Sequence, residues 1–421
     1  MQRSTTPARS AVFALSVLTF INLLNYLDRY LVSGMIPDLK AAPLLLTDEQ
    51  IGLLTTAFMA VYMIAAPIFG ALGDRGKRTT PIAVGVFLWS IATVLSGLAT
   101  SYSHLLGARA IVGIGEAAYV SVAPALLSDS FSRAQRGRVL SVFNMAIPVG
   151  AALGYIVGGL MSHHFNWRAA FFIAGAPGIL LALLVLRLQD PPRGGQDEEG
   201  VASARPAASS GTVAASPVAV YLDLFKQLPY MLVVLGYAAY TFALGGLAVW
   251  MPYFLEKVHH IPAVQATTSF GAIVVVTGFL GTFAGGWLGD YWQKSSRQAY
   301  LWMSGWITLI AAPLTFVSLT AASPSLYYPA IIVAELLLFM STGPINSAIA
   351  NLVSPAERAS AFALSMFTIH LLGDVPSPWL IGHLSDLTSI GDAVLIVPAA
   401  VVISGVVWLI SARVCGRVSP R

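Results

Sequence analysis

The stretch Leu105-Leu-Gly-Ala-Arg109-Ala-Ile-Val-Gly113-Ile-Gly115-Glu116-Ala-Ala-Tyr-Val-Ser-Val-Ala-Pro-Ala-Leu-Leu127 decides the fold. It is long and apolar enough to cross a bilayer as a helix, which takes about 20 predominantly apolar residues. It nevertheless carries Arg109 and Glu116, whose separation of seven positions is close to two helical turns and puts both on one face. A charge at bilayer depth costs roughly 2.5–3.5 kcal/mol even on the lenient insertion scale, so it faces protein or a water-filled cavity. The first apolar stretch supplies matching polar groups in Asn22-Leu-Leu-Asn25-Tyr-Leu-Asp28-Arg29. Charged helices in one half of a membrane chain imply a polar interior.

Composition agrees. Only 10% of the 421 residues are charged and 57% are hydrophobic, whereas soluble domains carry about 25% charged residues. The length accommodates about a dozen spans with short loops. A single cysteine, Cys415, excludes an internal disulfide and a cysteine-based metal site. His163-His164 and His259-His260 lack the acidic neighbours and spacing of a metal site. No metal, cofactor or convergent catalytic set is expected, and hence no enzyme. The net charge of +4 is spread through loops, which leaves no footprint for nucleic acid. The apolar run after Arg3 and Arg9 continues past Leu27 without a small-residue cleavage site, so it reads as a retained first span. A channel would want a pore-lining ring from several subunits; two unlike halves in one chain argue against that, and a monomer is expected.

Apolar segments bounded by Gly, Pro or charge fall at 11–36, 50–72, 80–100, 104–127, 138–162 and 168–188, and again at 229–255, 265–289, 299–320, 326–350, 359–384 and 392–412. The polar, Ala/Ser/Pro-rich stretch separating the two sets cannot bury a core and reads as a disordered linker. Residues 218–227 form a short amphipathic segment suited to the membrane surface. The expected domains are therefore an N-terminal six-helix bundle over 1–188, a cytoplasmic linker over 189–217 and a C-terminal six-helix bundle over 218–421.

With both termini inside, the inner segments hold 18 of the 23 Lys and Arg residues; Lys40, Arg168 and Lys257 lie in outer loops, and Arg29 and Arg109 lie within spans. This asymmetry predicts cytoplasmic termini under the positive-inside rule. The halves also echo one another. Gly70-Ala-Leu-Gly-Asp74 closes span two as Gly286-Trp-Leu-Gly-Asp290 closes span eight, and Ser132-Arg-Ala-Gln-Arg136 enters span five as Ser354-Pro-Ala-Glu-Arg358 enters span eleven. Offsets of 216 and 222 residues point to a duplication with parallel halves.

The six-plus-six plan, with Gly70-x-x-x-Asp74-Arg75 and trailing Lys77 and Arg78 between spans two and three, resembles the major facilitator superfamily of secondary transporters. Arg109-Ala-Ile-Val-Gly113-Ile-Gly115 is similar to that family's fourth-span motif. Gly150-x-x-x-Gly154-Tyr155-x-x-Gly158-Gly159 looks like its fifth-span antiporter motif, with Tyr155 standing where the motif has proline, so the direction of exchange is left open. Asn25-Tyr-Leu-Asp28-Arg29, the Val-Gly-Ile-Gly-Glu116-Ala run and the Asp190-Pro-Pro-Arg193-Gly exit from span six resemble the Spinster family. That resemblance implies twelve transmembrane helices in two pseudo-symmetric six-helix bundles, alternating access around a central cavity, and a lysophospholipid-like or sphingoid-type substrate. The alternative is a drug or small organic-anion exporter of the same fold. A bacterial inner (plasma) membrane is expected from the compact loops and Ala-rich composition.

Individual residues carry expectations too. Asp28 and Arg109 both lie on the outer side of the midplane and form the expected pair; Glu116 lies about 10 Å deeper than Arg109. Burial disfavours the charged form of a carboxylate, which suits Glu116, with Asp28, to proton coupling. Arg29 competes as a fixed charge: if it reaches Glu116, that residue becomes a structural partner or an exchange site. Asn25, Arg29, Arg109, His370, Asp374 and Glu335 are assigned to the substrate and charge network, with His370 and Asp374 on one helical face. Gly70, Asp74, Arg75, Arg78 and Asp290 are assigned to a gating latch at the cytoplasmic helix ends. Tyr237, Tyr240, Thr241, Trp250 and Phe367 are candidates to line the path of a large amphiphile.

Overall fold

Hydrocarbon offers no partner to a peptide group, so a spanning segment satisfies its backbone internally as helix unless it joins a closed barrel. The chain takes that course. The structure, a computed structural model, describes residues 8–41, 43–193, 217–354 and 357–418; the side chains of Asp74 and Arg75 lie outside what is described. It divides into two units, residues 1–45 with 57–214 and residues 46–56 with 215–421.

The first unit contains α1 (Ala8–Leu31), continued by a 3-10 turn (Val32–Gly34) and the short α2 (Ile36–Lys40). There follow α3 (Asp48–Arg75), α4 (Thr79–Gly97), α5 (Tyr102–Ser130), α6 (Arg133–His164) and α7 (Trp167–Val185). Helix α3 begins among the residues of the second unit and continues into the first. Side-chain caps set two of the starts: Ser101 accepts from the His104 N–H at α5, and Asn166 accepts from the Ala169 N–H at α7. The glycines of the fifth-span motif are spent on packing. A Cβ at Gly150, Gly154 or Gly158 would lie 2.6, 2.5 or 2.5 Å from the carbonyl oxygens of Leu23, Leu27 and Leu31, so α6 lies directly on the backbone of α1.

The second unit contains α8 (Pro217–Lys226), α9 (Leu228–His259), α10 (Ala263–Gln293), α11 (Ala299–Thr320), α12 (Pro324–Phe339) and α13 (Thr342–Leu352). It ends with α14 (Arg358–Ile369), a π-helical turn (His370–Asp374), α15 (Pro376–Leu387), the short α16 (Ile390–Ala393) and α17 (Ile396–Val418). The surface segment expected at 218–227 is α8, with Leu224 buried and Leu222 and Phe225 exposed.

Among the described residues, 11 helices are long and apolar enough to cross a membrane. The segment expected as a continuous eleventh span at 359–384 is instead broken at the π turn. Pro376 and Pro378 have no N–H to give the preceding turn, and a wider turn takes up the lost bonds. The spans turn large apolar side chains outward, with Phe283 78% and Leu180 67% exposed, as hydrocarbon surroundings require.

The stretch read as linker starts later than expected. Asp190, Pro191 and Arg193 are hydrogen-bonded to the first unit, while residues 194–216 lie outside the described residues. The reason is Arg78, whose buried guanidinium collects acceptors from that segment.

Candidate functional site

The polar core of the first unit is built where α1, α3, α4 and α5 meet. Adjacent residues of α1 diverge by about 100° around the helix, so Asp28 and Arg29 reach different levels of α5. Arg109 Nη1 donates to Asp28 Oδ1 at 3.1 Å and to Oδ2 at 3.2 Å, and Thr93 Oγ1 donates to Oδ2 at 2.9 Å. Asp28 and Arg109 are both buried. Deeper along α5, Arg29 Nη2 donates to Glu116 Oε2 at 3.0 Å. The structure thus brings the expected pair together and chooses the competing partner for Glu116.

Aromatic rings enclose the guanidiniums. That of Arg29 lies 4.9 Å from the Tyr26 ring centroid, 5.2 Å from Phe58 and 5.0 Å from Tyr62; that of Arg109 lies 5.3 Å from Phe58. Such contacts suit a delocalised, weakly hydrated cation in a low-dielectric site. Part of the polar capacity stays unused. Glu116 Oε1, both polar atoms of the Asn25 amide, and the Nε atoms of Arg29 and Arg109 are buried without a hydrogen-bond partner among the described residues. Buried polar groups are ordinarily paired, and these atoms are exceptions among the described residues.

In the second unit, His370 Nδ1 lies 2.8 and 3.0 Å from the two Asp374 carboxylate oxygens, within the π turn. Glu335 on α12 is buried, takes a hydrogen bond of 3.3 Å from Thr277 Oγ1, and has no cationic partner among the described residues. Tyr240 and Trp250, expected as lining, are packing residues instead: each is fully buried and donates to a backbone carbonyl, of Leu338 and Pro378 respectively. Thr241 spends its hydroxyl on the Tyr237 carbonyl, Tyr237 accepts from Asn346, and Phe367 is 46% exposed.

Of the residues assigned to gating, Gly70 lies in α3, and the Asp74 and Arg75 side chains fall outside the described residues. Arg78 is 3% exposed and ties the first unit together. Its Nη1 meets Asp129 at 2.5 Å, its Nε donates to Asp190 Oδ1 at 2.7 Å, and its Nη2 donates to the Pro191 carbonyl at 2.5 Å. Arg193 in turn donates to the carbonyls of Gly73 and Gly76 at the end of α3. Asp290 is exposed and accepts from the Tyr300 hydroxyl at 2.7 Å.

Sequence reasoning did not find Thr93, Tyr26, Phe58 or Tyr62, because a lone hydroxyl or ring on an apolar helix carries no local signal. Asp129 was findable, since an acid at a helix end beside a basic loop is a visible pattern; Asp190 was read only as part of the exit motif from span six, without its partner Arg78.

With this geometry in place, comparison with known proteins gives the class. The family model of the Major Facilitator Superfamily matches residues 18–378, and the chain is a multi-pass membrane transporter of that superfamily, with its fold of twelve spans in two six-helix bundles. It belongs, within the superfamily, to the Spinster family. Protein spinster homolog 1 of Homo sapiens is 35% identical over 409 residues, covering 92% of this chain and 75% of that protein. The protein of Danio rerio named sphingosine-1-phosphate transporter SPNS2 is 33% identical over 437 residues, covering 96% and 84%. A solved bacterial homologue of the human lysosomal transporter Spinster, in an inward-facing and unoccupied conformation, shares the fold with a TM-score of 0.86 at 23% identity, covering 99% of this chain and all of that one.

Proposed function

We propose that the chain is a proton-coupled secondary active transporter moving an amphiphilic, lipid-like substrate of lysophospholipid or sphingoid type by alternating access of its two units. The observation that carries this reading is the half-committed Glu116: one carboxylate oxygen is on Arg29 and the other is buried without a partner among the described residues, as is the Asn25 amide. Such a carboxylate exchanges one partner for another at little geometric cost. A substrate phosphate takes the guanidinium and leaves Glu116 to a proton, or a proton on Glu116 frees the guanidinium for the anion. Asp28, already held by Arg109 and Thr93, keeps the neighbouring cation in place. The charged core of the first unit takes the headgroup and the proton. The second unit, poorer in buried charge, takes the hydrocarbon part, with Glu335, His370 and Asp374 as its polar contacts. The name of the SPNS2 relative supports the substrate class.

The loop signature around Gly70, Asp74, Arg75 and Arg78, with Asp290 in the second half, is proposed to gate the cytoplasmic side. The bias of 18 of 23 basic residues to one set of loops supports cytoplasmic termini in a plasma or inner membrane. A monomer suffices, since both halves are on one chain.

The test is uptake of sphingosine-1-phosphate and lysophosphatidylcholine into proteoliposomes with and without an imposed pH gradient. Stimulation by the gradient in wild type and none in Glu116→Gln is expected; lipid uptake indifferent to the gradient would refute coupling. Transport of small organic anions or drugs without lipid would establish the exporter reading instead.

A further inference from the structure

The start of α3 makes a polar seam with α15 that nothing described so far uses. Thr47 and Gln50 cap this helix reciprocally: the Gln50 N–H donates to Thr47 Oγ1 at 3.2 Å, and the Thr47 N–H to Gln50 Oε1 at 3.1 Å. The next two free amides are taken by a different helix. Asp386 of α15 accepts from the Asp48 N–H at 3.0 Å and the Glu49 N–H at 2.8 Å, one on each carboxylate oxygen. Ser385 donates to Asp48 Oδ2 at 2.6 Å. Glu49 is gripped twice more, by the Trp379 indole N–H on Oε1 at 3.0 Å and by His383 Nδ1 on Oε2 at 3.1 Å. The backbones touch below this: a Cβ at Gly52 would lie 2.3 Å from the Pro378 carbonyl oxygen, and one at Gly382 would lie 2.3 Å from that of Asp48.

We infer that Glu49, Trp379, His383 and Asp386 form a proton-sensitive latch holding the start of α3 on α15, tight when His383 is charged and loose when it is neutral. The seam concentrates the carboxylates of Asp48, Glu49 and Asp386, and histidine is the side chain whose charge ordinarily changes between about pH 5 and 8. Protonation turns a hydrogen bond from a neutral ring to the Glu49 carboxylate into an ion pair with charge on both partners. Solvent protons reach the pair, since the His383 and Glu49 side chains are 41% and 37% exposed.

The elements packed on α15 are α9, the π turn and α16. Their titratable groups are engaged with other partners: Glu256 with Lys257 and His259 with Tyr327 on or against α9, His370 with Asp374 in the π turn, and Asp392 with Ser389 at α16. A latch on the first turns of α3 controls how freely the start of that helix leaves α15 during a transport cycle. That consequence rests on the transporter reading, with Glu49, Trp379, His383 and Asp386 as positioning residues.

The Trp379 indole provides the readout. It stacks on the His383 ring, with centroids 5.9 Å apart and planes at 27°, and a protonated imidazole quenches a stacked indole. On the purified full chain in detergent, the fluorescence difference between wild type and Trp379→Phe is titrated. A single step is expected on lowering the pH, absent in His383→Gln and in His383→Asn, and altered in Glu49→Gln, which removes the carboxylate facing the ring.

Tightness is read by maleimide labelling of a Cys415→Ser, Ser385→Cys protein, compared with its His383→Gln derivative at matched pH. At about pH 6 the derivative labels about five- to tenfold faster, and at about pH 8 the two label alike. A missing step, a step that survives both His383 variants, or equal labelling at about pH 6 overturns the latch. Neither measurement involves substrate, so failure of lipid or proton transport leaves this result standing, and the reverse holds as well.

Discussion

Arg29 donates to Glu116 Oε2 at 3.0 Å, whereas Glu116 Oε1, in the same carboxylate, is buried without a partner among the described residues. One oxygen of this carboxylate is therefore committed to Arg29 and the other is not. The Asp28–Arg109 pair shares its acid with the Thr93 hydroxyl, and the two pairs should respond differently to mutation.

Glu116→Gln keeps the shape and removes the charge. Gradient-driven lipid uptake should fall about ten- to a hundredfold, the equivalent of one charge-assisted hydrogen bond of about 1.5–3 kcal/mol. The residual uptake should lose its pH dependence. Initial rates in proteoliposomes across a pH series check this; an unchanged profile removes Glu116 from the mechanism.

Arg109→Ala leaves the buried Asp28 carboxylate with the Thr93 hydrogen bond but without its cation, and breaking one side of a buried pair costs about 3–5 kcal/mol. The variant should melt earlier in detergent and transport little. Asp28→Asn combined with Arg109→Gln should recover part of the stability, because no lone charge remains. Asp28→Asn, Arg109→Gln and their double form a cycle in which the coupling is measured directly.

Arg78→Ala should release the Asp190-Pro-Pro-Arg193 segment from the first unit. Faster proteolytic cleavage at Arg187 or Arg193, with stability lower by about 3–5 kcal/mol, is the expected pattern. Arg78→Lys should recover less than half of it, since a lysine cannot serve Asp129, Asp190 and the Pro191 carbonyl from one planar fork.

Gly154→Ala would drive a methyl to 2.5 Å from the Leu27 carbonyl oxygen, and overpacking of this kind costs about 1–3 kcal/mol. Gly286→Ala, where a Cβ meets nothing within 4 Å, should be neutral or slightly stabilising by its higher helix propensity. Melting temperatures of the two variants side by side decide it. Equal losses would mean that the α1–α6 contact is not tight.

Much of this was legible along the chain. The spans were readable because hydrocarbon imposes a length and a composition on each of them. Asp28 and Arg109 could be matched by depth, since helical rise converts residue number into height with little error. The break at His370–Asp374 was less visible, although Pro376 and Pro378 announce lost backbone donors, because an apolar run looks continuous whether or not its hydrogen bonds are.

By itself, then, the sequence determined a membrane protein of two six-span halves, the presence of buried charge at Asp28, Arg29, Arg109 and Glu116, and the family. Those are properties of periodicity, composition and local motif. Tertiary structure alone decided that Arg29 takes Glu116, that Tyr240 and Trp250 pack instead of lining a path, that Arg78 binds the exit of α7, and that Asp386 caps α3 across 338 positions of chain. Partner choice depends on helix rotation and on the distance between elements remote in sequence, and neither is encoded in the spacing of residues along one helix.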